Sequence, residues 1–276
     1  VLKSQGLHFL TGSEWNAAVD ANNVPDPANS KFGIAAMLVG TLICSLIALV
    51  IAVPISVFTA LFLTFYAPGA IKKILITIFD LMAAFPSILY GLWGFFVLMP
   101  YAVNAAEFLN KYLGWIPIFS MQAPVFDRSP FVAGVVLAVM IIPIITSISR
   151  EIFSQTPLDR IQAAYALGSH RWGMIRAVAL PYARGGIVGG AMLGLGRAMG
   201  ETVAVYTVLN IVYQINWHIL LGAGGNVASM ILLKFGEAGP LEVKALMAAG
   251  LILFLVTLAV NSAANFIVAR TGKGGR

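Results

Sequence analysis

The chain has 276 residues, 59% of them apolar and only 10% charged, with a mean hydropathy of +0.90. A soluble domain carries about 25% charged residues, so a water-soluble globular protein is excluded and an integral membrane protein is implied. A net charge of +6, which in a soluble chain would suggest nucleic acid, is read here from where the charges stand relative to the apolar runs. Long apolar runs with scarce alternation favour helices over an outer-membrane barrel. The single cysteine, Cys44, lies in an apolar run. It excludes an intrachain disulfide and points to no metal site.

Residues 1–32 are polar, with Trp15 and the turn-forming run NNVPDPANS at 22–30. Val1 is not an initiator methionine, and the opening residues lack the basic-then-apolar layout of a signal peptide, so an upstream segment is expected. The first apolar run, 33–65, exceeds the ~20 residues a span needs and should tilt or kink, with Pro54 as the kink. YAPGAIKK at 66–73 makes a short turn. A second run, 74–99, carries Asp80, either interfacial or the partner of a buried cation, and then FPSILYG at 85–91. Residues 100–130 suit a boundary-lying loop or short helix. The third run, 131–148, contains Pro143, and 150–184 is the longest polar stretch of helical character. A fourth run, 187–209, carries an arginine and a glutamate. Residues 210–240 hold a lone His218, read as surface or interfacial, and the Gly-rich turn GAGGN at 222–226. The last run, 241–268, ends in RTGKGGR.

Lys and Arg set the orientation. With the five runs alternating, one set of loops carries Lys72, Lys73, Arg150, Arg160, Arg171, Arg176, Arg184, Arg270, Lys273 and Arg276. The other carries Lys3, Lys31, Lys111, Arg128, Lys234 and Lys244. The first set is expected in the cytoplasm. That leaves 1–32 as an external segment, 33–270 as a transmembrane domain with a cytoplasmic loop at 150–181, and 271–276 as a cytoplasmic tail. Exporting 1–32 calls for an upstream anchor, so a transmembrane helix before Val1 is expected to be missing through processing or trimming.

The stretch GLGRAMGET at 194–202 is the expected site. Arg197 stands ten residues into the fourth run if that run begins near Ile187. At about 1.5 Å per residue it lies near the middle of a ~30 Å hydrocarbon core. Glu201 should follow one turn later on the same helix face. Intramembrane charges are costly and usually line a path or a bundle interior. An ion pair that only ties helices together is the alternative. Glycines 186, 190 and 194, and again 196 and 200, form rows that permit close helix approach. The stretch is no nucleotide loop: no strand precedes it and GxxxxGK[ST] occurs nowhere. No nucleophile–base constellation appears, so the chain is read as a non-enzyme.

In the cytoplasmic loop, QAAYALGSHRWGMIRAVALP at 162–181 has helical spacing on both sides of Gly168. It could lie on an anionic leaflet as an amphipathic helix. It also resembles the signature of ABC importer permeases: EAA, three residues, Gly, nine residues, Ile, one residue, Leu-Pro. Ala163, Ala164, Gly168, Leu180 and Pro181 match it, while Gln162 replaces the Glu and Val178 the Ile. GLGRAMGETVAVYTVLN, FPSILYG and FLTGSEWN at 9–16 narrow the resemblance to the PstC-type permeases of phosphate importers, over nearly the whole chain.

The resemblance implies an all-helical, six-span permease of a bacterial cytoplasmic (inner) membrane, five spans of which fall in this chain. The implied partners are a PstA-like permease, a PstB-like ATPase dimer using ATP and Mg, and a soluble PstS-like phosphate-binding protein. Ala163, Ala164, Gly168, Leu180 and Pro181 would form the loop that docks on the ATPase. Arg197, Glu201 and Asp80 would line the substrate pathway. The physics agrees: guanidinium offers a planar fork matched to phosphate oxygens, and Glu201 could hold Arg197 when no anion is present. A permease for another oxyanion, such as sulfate or molybdate, or a mainly phosphate-sensing membrane component, are the rival readings.

Overall fold

The computed structural model describes residues 6–18, 24–27, 29–121 and 125–272. Residues 22, 23 and 28 of the N-terminal turn run, and the cations Lys3, Lys273 and Arg276, lie outside them. Helices dominate. Among the described residues, five stretches are long and apolar enough to cross a membrane: Ala35–Tyr66, Ser87–Leu113, Pro130–Ser154, Arg171–Met199 and Pro240–Ala264.

Helix α1 (Ala35–Leu61) contains Pro54 and runs on as a π turn over Phe62–Tyr66. α2 (Gly69–Ala84) then stops at Phe85, whose backbone is extended at φ −65° and ψ 136°. Pro86 accounts for the stop, because its ring disfavours a helical residue before it. The second apolar run is therefore split in two. α3 (Ser87–Trp93) continues through a π turn at Gly94–Leu98 into α4 (Met99–Leu113), so residues 100–113 of the stretch expected as a boundary-lying loop or short helix are helical. α5 (Pro130–Ser154) keeps Pro143 inside it.

α6 (Leu158–Ala166) precedes α7 (Arg171–Met174), which passes through a π turn at Ile175–Ala179 into α8 (Leu180–Met199). The fourth span thus begins at Arg171, well before Ile187, and ends at Met199. α9 (Val203–Val208), α10 (Val227–Phe235) and α11 (Pro240–Gly272) complete the chain. The expected run 187–209 is interrupted at residues 200–202.

The chain divides into two compact units. The first comprises Val1–Ala48, Pro86–Leu137 and Ala198–Leu258. Its polar N-terminal segment pairs β1 (Trp15–Asn16) with β2 (Lys31–Phe32), antiparallel, Trp15 opposite Phe32. Their rings meet edge-on at 5.0 Å. The Trp15 indole donates to Glu242 in the first turn of α11 at 2.6 Å. Burial and the nearby Glu242 carboxylate push the Tyr213 phenol up to about 12. Beneath this lies a core of Phe9, Phe32, Ile34, Met37, Met230 and Leu246. The Gly-rich turn serves close approach: a Cβ on Gly225 would meet Met37 Cα at 2.8 Å.

The second unit comprises Leu49–Phe85, Ala138–Arg197 and Ala259–Arg276. Its packing rests on a glycine face. A Cβ on Gly194 would stand 2.9 Å from Ile145, one on Gly190 3.2 Å from Ile148, and one on Gly186 would strike Ile152. The row 186–190–194 is therefore the contact of α8 with α5, whereas Gly185 and Gly189 face nothing within 4 Å. Ser56 in α1 donates to the Ile142 carbonyl of α5 at 3.1 Å.

Candidate functional site

Arg197 occupies the last turn of α8 and is half-buried. Glu201 stands beyond the end of that helix and is 8% exposed. Its Oε1 accepts the Ala204 N–H at 3.2 Å, at the start of α9. The expected pairing one turn apart on a single helix face is thus not built. Among the described residues no ion pair joins Arg197 to Glu201 or to Asp80.

Two local causes break the helix between the two charges. Gly200 has poor helix propensity. The Glu201 carboxylate offers the next helix an N-terminal acceptor, which competes with continuation. The Thr202 carbonyl accepts the Tyr206 N–H at 3.0 Å as the first bond of α9 and also the Ser229 hydroxyl of α10 at 2.8 Å, which ties the start of α9 to α10. The electrostatics follow from the break. A cation at a helix C-terminus and an anion at an N-terminus each oppose the local dipole, worth about 0.3–1 kcal/mol apiece and more when partly buried. Each charge is stabilised by the helix end it stands on.

Asp80 lies exposed on α2, a helix with no buried residue. The same unit holds polar groups that sequence reading passed over. Thr146 and Ser149 in α5 and Asn261 in α11 each have a buried side-chain oxygen with no hydrogen-bond partner. Asn261 also stands beside the residue before Arg197: a Cβ on Gly196 would be 3.6 Å from its Nδ2. The signal was in the sequence, as single polar residues inside apolar runs.

The loop motif folds as a short helix, α6, and the start of the fourth span, Arg171 onward, about a glycine. Gly168 has φ of 81°, in the left-handed region. The Gly168 N–H donates to the Tyr165 carbonyl at 2.9 Å and the Ser169 N–H to the Ala164 carbonyl at 3.1 Å. Those two bonds make a Schellman cap of α6 and satisfy carbonyls the helix would leave open. Ala164 and, in part, Leu180 join an apolar cluster with Phe153, Met174 and Ile175, while Ala163 and Pro181 are exposed. Trp172, expected on the apolar face, is 46% exposed. The Arg171 guanidinium stacks over the Tyr66 ring at 5.3 Å. Among the described residues no group of three His, Cys, Asp or Glu side chains converges to hold a metal.

Residues 52–273 match the family described as binding-protein-dependent transport system inner membrane component. The phosphate transport system permease protein PstC 2 of Mycobacterium tuberculosis is 42% identical over 269 residues, covering 96% of this chain and 81% of that protein. The phosphate transport system permease protein PstC of Xylella fastidiosa is 39% identical over 275 residues, covering 99% and 82%. Among solved structures, a chain of the inward-facing MetNI methionine ABC transporter aligns with a TM-score of 0.57 at 19% identity, over 86% of this chain and 94% of that one. A chain of a bacterial alginate ABC transporter, solved with its pentasaccharide-bound periplasmic protein, gives 0.60 at 16% identity, over 86% and 78%. These two likenesses concern the fold. With five apolar spans and a family match over most of its length, the chain belongs to the binding-protein-dependent transport system inner membrane components and is a multi-pass permease subunit of an ABC importer.

Proposed function

We propose that this permease carries phosphate. It forms one half of the translocation path beside a PstA-like permease, above a PstB-like ATPase dimer that uses ATP and Mg, and receives its substrate from a PstS-like binding protein. The carrying observation is the half-buried Arg197 at the C-terminal turn of α8, with no carboxylate paired to it among the described residues. A phosphate anion crossing a low-dielectric interior needs a counter-charge, and a guanidinium supplies one with a fork fitted to its oxygens. Relatives of about 40% identity that carry the name phosphate transport permease support the substrate. Ala163, Ala164, Gly168, Leu180 and Pro181 form the loop that docks on the ATPase. Glu201 and Asp80 stand as further polar residues of the path. Residues 1–32 lie outside, with 150–181 and the 271–276 tail in the cytoplasm of a bacterial cell.

ATP-driven uptake in proteoliposomes holding the whole assembly tests this. Labelled phosphate should accumulate, with sulfate and molybdate competing weakly. Arg197→Gln should lower uptake about tenfold or more, with the assembly intact. Uptake of sulfate or molybdate in preference to phosphate would overturn the substrate. Full uptake by Arg197→Gln would overturn the role of the guanidinium.

A further inference from the structure

A second guanidinium, Arg128, stands in the turn before α5, within the first unit. Among the described residues it is the non-glycine residue with a left-handed backbone, at φ of 49°. A long side chain has no intrinsic preference for that region. Here neighbouring bonds impose it. The Arg128 carbonyl accepts the Asn210 N–H at 3.0 Å, the Phe131 N–H donates to Ile219 at 2.9 Å, and the Gly222 N–H donates to Val125 at 2.8 Å. Buried Ser129 accepts the Val132 N–H at 3.3 Å. The turn is thus clamped to the 210–222 segment, and the side chain's direction follows from the clamp.

That direction sets the guanidinium over the Phe95 ring, 5.1 Å from its centroid. Both line a cleft of about 440 Å³ with Tyr206, Thr207 and Asn210. The stacking occupies one face of the guanidinium plane and leaves its edge donors free. Among the described residues no carboxylate forms an ion pair with it. Arg128 is exposed, and an unpaired cation lining a cleft with the Tyr206 phenol and the Asn210 amide, whose Nδ2 also donates to the Gly222 carbonyl at 2.9 Å, recognises an anion. The cleft is large for a bare tetrahedral anion, so the ion keeps part of its hydration, and the site suits brief residence over tight binding.

We propose that this cleft is an oxyanion subsite of the permease, in which Arg128, aimed by its left-handed backbone and the Phe95 ring, takes up phosphate in transit. The proposal rests on the phosphate-permease reading and adds a second cation to it.

The test uses the complete assembly in proteoliposomes, with uptake of inorganic phosphate and ATP hydrolysis followed in the same vesicles. Arg128→Asn removes the charge while suiting the left-handed backbone, which asparagine tolerates. Arg128→Lys keeps the charge without the fork. Arg128→Asn should lower maximal uptake about tenfold, with binding-protein-stimulated hydrolysis held within about twofold, so phosphate moved per ATP falls. Arg128→Lys should lie between. Equal uptake by wild type and Arg128→Asn overturns the subsite. So does a parallel fall in uptake and hydrolysis, which marks a contact with a partner protein, or failure of both variants to assemble, which marks a structural residue. The deficit should be the same in phosphatidylcholine vesicles and in vesicles containing phosphatidylglycerol. A deficit confined to the anionic vesicles makes the occupant a lipid headgroup and overturns transit. Absence of phosphate uptake by the wild type overturns the permease reading and this one together, whereas normal wild-type uptake with an unaffected variant overturns this one alone.

Discussion

At the scale of residues, the signature GRAMGET is two charges at two helix ends. Arg197 closes α8, and Glu201 opens α9 through its bond to the Ala204 N–H. This makes a forecast that a simple ion pair does not. Glu201→Gln keeps an acceptor oxygen for the Ala204 N–H, so folded protein in the membrane should stay near the wild-type level. Glu201→Ala removes the acceptor and should cost about 1 kcal/mol, in the range of other lost caps. Thermal unfolding of the purified complex, followed for both variants, separates the two. If Gln and Ala destabilise equally, Glu201 acts through its charge on Arg197. If Gln is tolerated, Glu201 is a cap.

At the scale of elements, two glycines act in opposite ways. Gly194 is needed for space, because its missing Cβ lets α8 approach Ile145 of α5. Gly168 is needed for its backbone: a Cβ there would meet nothing within 4 Å, but φ is 81°. A β-branched residue in the left-handed region costs about 1–2 kcal/mol, and asparagine much less. Gly168→Val should therefore unwind the Schellman cap and displace α7 relative to α6. It should lower the ATPase response to loaded binding protein severalfold while the subunit still reaches the membrane. Gly168→Asn should keep most of that response. Equal responses from Val, Asn and wild type would show that the loop geometry does not matter for coupling.

At the scale of the whole molecule, many large apolar side chains face outward, among them Phe96 at 72%, Met247 at 71% and Phe254 at 62% exposed. In a soluble protein such a surface would aggregate. In an importer permease, lipid and partner subunits are its solvent. The Lys and Arg bias makes a prediction about its orientation. In a Cys44→Ser background, a cysteine at Trp217 should react with an impermeant maleimide added to intact cells, and one at Arg160 should react only after lysis. Labelling at Arg160 from outside would invert the topology.

The apolar runs, the loop motif and the central charges were legible in the sequence because each depends on short-range patterning. Span length follows from hydropathy, and the break at Gly168 follows from the one residue without a Cβ penalty at positive φ. The row of glycines at 186, 190 and 194 announced a close helix contact, though not that α5 supplies it. Where the fourth span starts and stops was not legible. Arg171–Met199 reads as polar at one end, yet Ile175, Ala179 and Ala183 are buried against Phe153 and Met174, and that packing carries the helix on. The break after Met199 was hidden for the converse reason. The residues from Ile187 onward look continuously helical, yet the Glu201 carboxylate turns to the Ala204 N–H and the Ser229 hydroxyl, far along the chain, anchors the start of α9 at the Thr202 carbonyl. The direction of Arg128 is likewise set by bonds to the 210–222 segment. Such choices lie with partners distant in sequence, so only the tertiary structure decided them.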